Sequence, residues 1–328
     1  MQNPSHLRLH QFAGFQPGPR LIVTAAVHGN ETCGVGAVQA VIAALDSGAL
    51  TLLKGSVTFI PIVNALAHAK GQREGDRNLN RNLRPPVVPQ DHEDRIARQL
   101  CPQLAAHDVL LDLHSFLGRG QPFVMLGPLD NDGELEPFAH AAQEAALAAC
   151  LGPTHVVEGW LSTYELGLKR RAAKASDTGT GSRKQALVQD PNYGVGTTEY
   201  MRSQGGYCVT LECGQHTSPD APEVARLAIL RTLRLLGMIA PDAVAAHAPM
   251  SPPDVLQLYE VIDREDMGDT FAQEWTSFDA LEAGQRIGTR ADGTPVLAPS
   301  AGRIVFPNTK SQPGTEWFYL ARPSTRQL

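Results

Sequence analysis

Short apolar runs alternate with longer amphipathic runs over the first two thirds of the chain, and this alternation constrains the fold more than any single motif. The apolar runs have the length of buried strands; they cover 21–27, 56–63, 109–113, 122–126 and 207–212. The amphipathic runs have helical spacing; they cover 31–45, 93–106 behind the candidate N-cap Asp91, 136–151, 198–203 and 221–236. Because helices between strands allow parallel pairing, the sequence predicts an α/β domain with a largely parallel sheet flanked by helices.

The composition changes near residue 240. The segment 240–254 is rich in Pro and Ala and is interpreted as a linker. Short strand-like runs separated by Gly, Pro and Asp follow it, at 255–261, 302–306 and 317–320. We therefore expect an α/β domain over 1–239 and a smaller β domain over 255–328 that caps the functional site.

One long segment, 165–196, lacks clear periodicity and is rich in Lys and Arg. It predicts an irregular loop, either solvated and mobile or acting as a basic lid that attracts anionic substrates.

The net charge, the length of the apolar runs and the cysteine spacing argue against several classes of protein. The formal net charge of -6 argues against a nucleic-acid binder. No run approaches the roughly 18 apolar residues of a membrane span, and the polar start of the chain lacks an apolar signal-peptide core. The five cysteines include no Cys-x-x-Cys pair, which indicates reduced thiols. We expect a cytoplasmic protein that binds neither nucleic acid nor membrane, and the sequence leaves a homo-oligomer open.

Polar residues follow the predicted strands at their carboxyl ends, where α/β sheets bind ligands. His28 and Glu31 follow the first strand, and His114 follows 109–113. Two His and one carboxylate can supply three ligands to zinc and leave a fourth position open, as in catalytic zinc sites. The alternative is that Asn30 or Glu31 caps the next helix, but this leaves His114 unexplained.

Two carboxylates in or at the ends of predicted strands are further candidate site residues. Glu212 ends an apolar strand, where an unpaired carboxylate is costly to bury. It is interpreted either as the general base for a hydrolytic water or as half of a structural ion pair. Asp112 could support His114 from behind or point to the opposite face of the strand.

The segment 71–83 concentrates Arg, Asn and acidic residues with little apolar periodicity. It could be an ordinary polar surface loop. It could also bind substrate, because Arg binds carboxylates through two parallel hydrogen bonds and Asn adds an oriented amide. An Arg near the metal could also stabilise an oxyanion.

Four motifs together resemble the succinylglutamate desuccinylase/aspartoacylase family, a branch of the zinc carboxypeptidase-like hydrolases. They are His28-Gly29-Asn30-Glu31, Arg73 with Asn78-Leu79-Asn80-Arg81, Asp112-Leu113-His114 and Leu211-Glu212-Cys213-Gly214. The resemblance runs from about residue 20 to the C-terminus and implies a zinc carboxypeptidase-like fold. It also implies one zinc ion per chain, held by His28, Glu31 and His114.

The resemblance further implies a role for each remaining site residue. Glu212 matches the general acid/base, and Arg73 matches an arginine that polarises the scissile carbonyl. The residues that match substrate-binding positions are Asn80, Arg81, Arg202 and Tyr319. Asn78, where aspartoacylases usually have Asp, is more typical of the desuccinylase branch.

These inferences predict a zinc-dependent amidohydrolase that removes the acyl group from a small, anionic N-acyl amino acid. A zinc carboxypeptidase or an esterase could use the same residues, so both remain alternatives. A non-catalytic zinc-binding protein is a further alternative, but it is expected to lack Glu212 or Arg73, and the chain has both.

Overall fold

One large mixed sheet forms the centre of the molecule in the computed structural model, which describes residues 6–175, 190, 193–243 and 252–328. The strands are β1 (His10–Ala13), β2 (Gln16–Ala25), β3 (Lys54–Ile60), β4 (Val109–Phe116), β5 (Phe123–Met125), β6 (His155–Glu158), β7 (Tyr207–Gln215), β8 (Asp254–Asp263), β9 (Thr270–Phe271), β10 (Ala280–Leu281), β11 (Arg286–Thr289), β12 (Pro295–Leu297), β13 (Gly302–Val305) and β14 (Glu316–Pro323). The helices are α1 (Cys33–Asp46), α2 (Ala65–Lys70), α3 (His92–Ala105), α4 (Ala141–Cys150), α5 (Trp160–Ala175), α6 (Thr197–Ser203) and α7 (Ala221–Leu235), followed by a 3-10 turn at Pro241–Ala243.

The strand order in the sheet is β1-β3-β2-β4-β7-β5-β6-β8-β14-β13-β10. Strands β3, β2, β4 and β7 are parallel neighbours, whereas β5 runs antiparallel to β7. The C-terminal strands β8, β14, β13 and β10 pair antiparallel, and β9, β11 and β12 form a separate small sheet. The predicted α/β fold with a C-terminal antiparallel β region is confirmed.

The two faces of the sheet are covered by different helices. In β4, the odd-numbered Leu111 and Leu113 belong to the apolar cluster formed with α1 and α7. The even-numbered Leu110 belongs to the cluster formed with α3 and α6. Asp112 and His114 are also even-numbered positions of β4. Because side chains alternate along a strand, Asp112 and His114 lie on the same face, at the carboxyl end of the strand.

The C-terminal strands join the large sheet directly, because β8 pairs in parallel with β6. Most of the predicted linker, residues 244–251, lies outside the described residues, and the division into two domains stays a prediction. Among the described helices, none is both long and apolar enough to cross a membrane.

The prediction of an irregular loop from residue 165 is wrong for its first third. Helix α5 continues to Ala175, and two of its basic side chains, Arg170 and Arg171, bind the C-terminal strands. Arg170 donates to Glu260 Oε1 at 2.5 Å, and Arg171 donates to Asp263 Oδ1 at 2.6 Å. These residues therefore attach the helix to β8. The lid prediction for 176–189 lies outside the described residues.

The helix predicted over 136–151 starts five residues late, at Ala141. The preceding backbone is occupied by another pairing, because Phe138 and Asn131 exchange two main-chain hydrogen bonds at 2.8 and 2.9 Å. The side chain of Glu136 accepts a hydrogen bond from Arg202 Nη1 at 2.7 Å.

Candidate active site

A cavity of about 670 Å³ opens at the carboxyl ends of β2, β4 and β7. It is lined by all nine of the predicted site residues: His28, Glu31, Arg73, Asn80, Arg81, His114, Arg202, Glu212 and Tyr319. The structure therefore brings together side chains that lie up to 291 positions apart in the sequence, which is the separation of His28 and Tyr319.

His28 and Glu31 are brought together by a tight turn between β2 and α1. The Glu31 N–H donates to the carbonyl of His28 at 3.1 Å, and Glu31 Oε1 lies 2.8 Å from His28 Nδ1. Gly29 is required here because a Cβ would overlap the backbone of Ala67 and His68. The turn therefore depends on the close approach of α2 to the backbone at Gly29.

His114 completes the candidate metal site from the neighbouring strand. Its Nδ1 lies 2.8 Å from Glu31 Oε2, and its ring centroid lies 5.0 Å from that of His28. One ligand atom from each of the three residues lies within 4.8 Å of the others, and all three side chains are buried. Two imidazole nitrogens and a carboxylate converging on one point form a donor set that fits a divalent transition metal.

The outer nitrogen of each imidazole has its own partner. His114 Nε2 lies 2.9 Å from Asp112 Oδ2, and His28 Nε2 lies 3.1 Å from Asn78 Oδ1. Such partners fix the tautomer and the ring orientation of metal-binding histidines. Asp112 therefore supports His114 from behind, which was one of the two placements considered from the sequence.

Buried carboxylates make this site favourable for a cation. Burial alone would lower the pKa of His114, but Asp112 and Glu31 outweigh it and raise that pKa well above its ordinary value. Burial would raise the pKa of Glu31, but His28 and His114 outweigh it and hold that pKa well below its ordinary value. Burial, followed by the charge of Arg73, lowers the pKa of His28 to about 4, so this imidazole is neutral and able to bind a metal at pH 7.

Glu212 lies directly beside His114 in the sheet. The two residues are register partners on the parallel strands β7 and β4. Glu212 Oε2 is buried without a hydrogen-bond partner, and burial, followed by the charge of Glu31, raises the pKa of this carboxyl to about 8. A carboxylate that is not an ion-pair partner and lines the cavity has the position required of a general base.

A model of the succinylglutamate desuccinylase/aspartoacylase catalytic domain matches residues 17–236, which is more than half of the chain. The chain belongs to the succinylglutamate desuccinylase/aspartoacylase family. No curated protein matches the chain significantly. As a member of a hydrolytic family, the protein is a hydrolase of the deacylase type. The family is typically metal-dependent, and His28, Glu31 and His114 form a candidate site for the ion.

Solved structures of similar proteins have the same fold. A succinylglutamate desuccinylase/aspartoacylase from Rhodobacter sphaeroides is 16% identical, with a TM-score of 0.72 over 97% of this chain and 90% of that one. The product-bound ectoine utilization protein EutE (DoeB) from Ruegeria pomeroyi is 18% identical, with a TM-score of 0.67 over 96% of this chain and 88% of that one. At these identities the likeness shows the fold of the family and leaves the substrate of this member open.

The polar segment 71–83 is held in place by Glu93 of α3. The fully buried Glu93 carboxylate accepts hydrogen bonds from the main-chain N–H groups of Gly75, Asp76 and Arg77, at 3.0 to 3.2 Å. This anchoring directs Arg73 towards the metal site, where its Nη1 lies 3.2 Å from Glu31 Oε1. Arg73 is half-exposed, which leaves its other donors accessible from the cavity.

Arg81 reaches the cavity beside the stacked rings of Trp160 and Tyr164. Its guanidinium carbon lies 4.5 Å from the ring centroid of Tyr164 and 5.3 Å from that of Trp160. Nε donates to the Tyr164 hydroxyl at 3.0 Å, and Nη1 donates to the carbonyl of Asn80 at 2.7 Å. Arg81 is therefore a buried cation whose bonded partners are both neutral.

Arg202 also lines the cavity, but its donors are directed at protein groups. Nε and Nη2 donate to the two oxygens of Glu144 at 3.0 and 2.9 Å, and Nη1 donates to Glu136 Oε1 at 2.7 Å. Nη2 also donates to the carbonyl of Cys208 at 3.4 Å, and Nη1 lies 3.8 Å from Glu199 Oε1. The role of Arg202 in binding substrate stays a prediction, and in this arrangement the residue holds three acidic side chains together.

Tyr319 is the only predicted site residue contributed by the C-terminal strands. It comes from β14, and its ring lies 5.4 Å from that of Trp160 in a tilted arrangement. Its hydroxyl is buried without a hydrogen-bond partner among the described residues. Burial raises the pKa of the phenol well above its ordinary value, so it stays a neutral donor. The orphaned hydroxyl supports the prediction that a ligand group bonds to it.

His216 and Trp160 are among the cavity residues that the sequence analysis missed. His216 lines the cavity just beyond β7, where its Nδ1 lies 2.9 Å from Ser115 Oγ, and the Ser115 N–H donates to Glu31 Oε2 at 3.2 Å. Trp160 was missed because β6 and the start of α5 were not predicted. The position of His216, four residues after Glu212 at the end of the same strand, was the available signal.

Proposed function

We propose that the protein is a zinc-dependent amidohydrolase that removes the acyl group from a small N-acyl amino acid. The observation that carries this proposal is the convergence of His28, Glu31 and His114 beside an unpartnered carboxylate oxygen of Glu212. Two imidazoles and one carboxylate form a ligand set typical of catalytic zinc. The carboxylate of Glu212 is not needed as a ligand and remains available for proton transfer.

Each residue of the cavity has a separate task in this reaction. When bound, zinc polarises the scissile carbonyl and lowers the pKa of a water molecule to about 7. Glu212 accepts the proton of the attacking water and passes it to the leaving amine. Arg73 donates to the carbonyl oxygen as negative charge develops there. Asn80 and Arg81 hold the carboxylate of the amino acid, and Tyr319 donates to a polar substrate atom.

The positive charge of Arg81 and Arg73 supports an anionic substrate. Arg81 is buried beside two aromatic rings, where a carboxylate would meet a cation at low local dielectric. Because long-range steering of an anion is screened by salt, the KM for such substrates should rise with ionic strength.

The test is a screen of zinc-loaded protein against N-acetyl, N-formyl and N-succinyl amino acids, with release of the free amine as the readout. Short peptides and simple esters are assayed in parallel, and chelated protein with and without restored zinc serves as the control. Amine release from acyl amino acids, restored by one zinc per chain, supports the proposal. Faster cleavage of peptides or esters would favour the alternative hydrolases. Zinc binding without turnover of the whole panel would indicate a non-catalytic protein.

A further inference from the structure

Thr197, the first residue of α6, contacts two different parts of the proposed site. It is fully buried, and its main-chain N–H donates to Asn80 Oδ1 at 2.8 Å. Its hydroxyl donates to Asp112 Oδ2 at 2.5 Å, and this same oxygen lies 2.9 Å from His114 Nε2. A single residue is thus bonded to a substrate-binding amide and to the carboxylate that orients a metal ligand.

We propose that Thr197 is a positioning residue for the reaction, and this inference rests on the proposed function. Its main-chain N–H donates to the amide oxygen of Asn80. The amide N–H groups of Asn80 are then directed to the substrate carboxylate. Its hydroxyl holds Asp112, and through Asp112 it sets the orientation of the His114 imidazole.

The contacts of Asn80 extend the same network to the second histidine. The Asn80 N–H donates to Asn78 Oδ1 at 2.9 Å, and this oxygen also lies 3.1 Å from His28 Nε2. Hydrogen bonds therefore connect the outer nitrogens of both metal-binding imidazoles through the residue expected to bind substrate. Gly196 leaves the required space, because a Cβ there would lie 2.8 Å from Asn80 Cγ.

The two functions of Thr197 are carried by different atoms and can be separated. The hydroxyl has one proton, and Asp112 Oδ2 at 2.5 Å is a closer and more strongly charged acceptor than Asn80 Oδ1 at 3.3 Å. Asn80 therefore depends on the main-chain N–H of Thr197. The substitution Thr197→Val removes the bond to Asp112 and preserves the bond to Asn80.

The experiment compares Thr197→Val, Thr197→Ser and a matched control, Thr232→Val, in the full chain. Thr232 is also fully buried, and its hydroxyl donates at 2.8 Å to the carbonyl of Ala228, within α7. Zinc affinity is measured by competition with a chelator, and kcat and KM are measured at saturating zinc. Loss of a partner behind a metal ligand typically weakens metal binding by about 10- to 100-fold, and because Thr197 acts through Asp112, a loss of about 10-fold is expected.

Thr197→Val should show this loss of zinc affinity with an unchanged KM, whereas Thr197→Ser and Thr232→Val should bind zinc like the wild type. Wild-type zinc affinity in Thr197→Val, or equal losses in Thr197→Val and Thr197→Ser, would overturn the inference. If Thr197→Val does not fold, Thr24→Val removes the other hydroxyl from Asp112, at 2.6 Å on Oδ1, and should also weaken zinc binding. Unchanged affinity there would overturn the inference equally. A wild-type protein that binds no zinc would instead refute the proposed function itself.

Discussion

Replacing Glu212 by Gln tests the centre of the proposed mechanism with the smallest change of shape. Gln has the same size as Glu but cannot accept a proton at pH 7. Glu212 is not among the three candidate ligands, and its Oε2 has no hydrogen-bond partner that the substitution would disturb. We therefore expect Glu212→Gln to fold, to bind one zinc per chain and to lose nearly all turnover.

The expected loss of rate follows from the proton transfer that we propose for Glu212. General acid-base catalysis contributes about 100- to 10,000-fold. This corresponds to about 3 to 5 kcal/mol on the activation barrier.

The same substitution should stabilise the metal-free protein. Burial raises the pKa of Glu212 from an ordinary 4.5 to about 8. A carboxyl whose pKa is raised on folding contributes stability below pH 4.5 and loses it as the pH rises through 8. From pH 4.5 to pH 7, a span of 2.5 units, each pH unit lowers the free energy of unfolding by about 1.36 kcal/mol. The loss of stability at pH 7 is therefore on the order of 3 kcal/mol. Gln avoids this cost because it does not ionise.

Two assays check these expectations on the same preparations. Amine-release kinetics with measured zinc content report on catalysis, and urea unfolding of the chelated protein at pH 5 and pH 8 reports on stability. Glu134→Gln, an exposed residue that lines the same cavity, is the matched control and should change neither. More than a tenth of the wild-type rate in Glu212→Gln would refute the assignment of the base. A stability difference that does not grow with pH would refute the account of its burial.

Three further substitutions test the charged groups of the cavity. Arg73→Met should lower kcat by about 100- to 1,000-fold, as expected for loss of an oxyanion donor. The melting temperature should change little, because Arg73 itself is half-exposed and the buried Glu31 keeps its contacts with His28 and His114. Arg202→Met should destabilise the fold by about 3 to 5 kcal/mol in urea unfolding, because buried Glu144 and its neighbours lose their counter-ion; unchanged stability would contradict the structural role. Burial raises the pKa of Glu136 to about 7, so the wild type should lose stability relative to Glu136→Gln as the pH rises from 5.5 to 8.5. Equal profiles of unfolding free energy against pH would argue against this.

The sheet and the convergence of the candidate metal-binding side chains could be predicted because both depend on local patterns. A buried strand that ends in a polar residue places that residue at the carboxyl edge of a parallel sheet, and this holds for His28, His114 and Glu212. The sequence analysis allowed Asp112 to lie either behind His114 or on the opposite face of the strand. Alternation along β4 already puts Asp112 on the same face as His114. In this case the sequence contained the answer.

The first turns of α5 were missed for a different reason. Its buried residues Leu161, Tyr164 and Leu168 do have helical spacing, but the run of basic residues that follows resembles a loop. Those basic residues are stabilised by acidic partners in β8, roughly 90 residues further along the chain, as in the bond between Arg170 and Glu260. A single sequence does not show pairings at that distance, so the local pattern was misread.

The charge balance around the two buried arginines decides which of them is better placed to bind a substrate carboxylate. Arg202 faces Glu136, Glu144 and Glu199, so a substrate anion would have to displace a protein carboxylate and leave it unpaired. Arg81 is bonded to a hydroxyl and a main-chain carbonyl, which do not neutralise its charge. Glu316, the acidic residue near it, is bound by Arg171 at 3.1 Å. Among the described residues, a substrate carboxylate at Arg81 therefore displaces no ion-pair partner. We expect substitution of Arg81 to raise KM far more than substitution of Arg202.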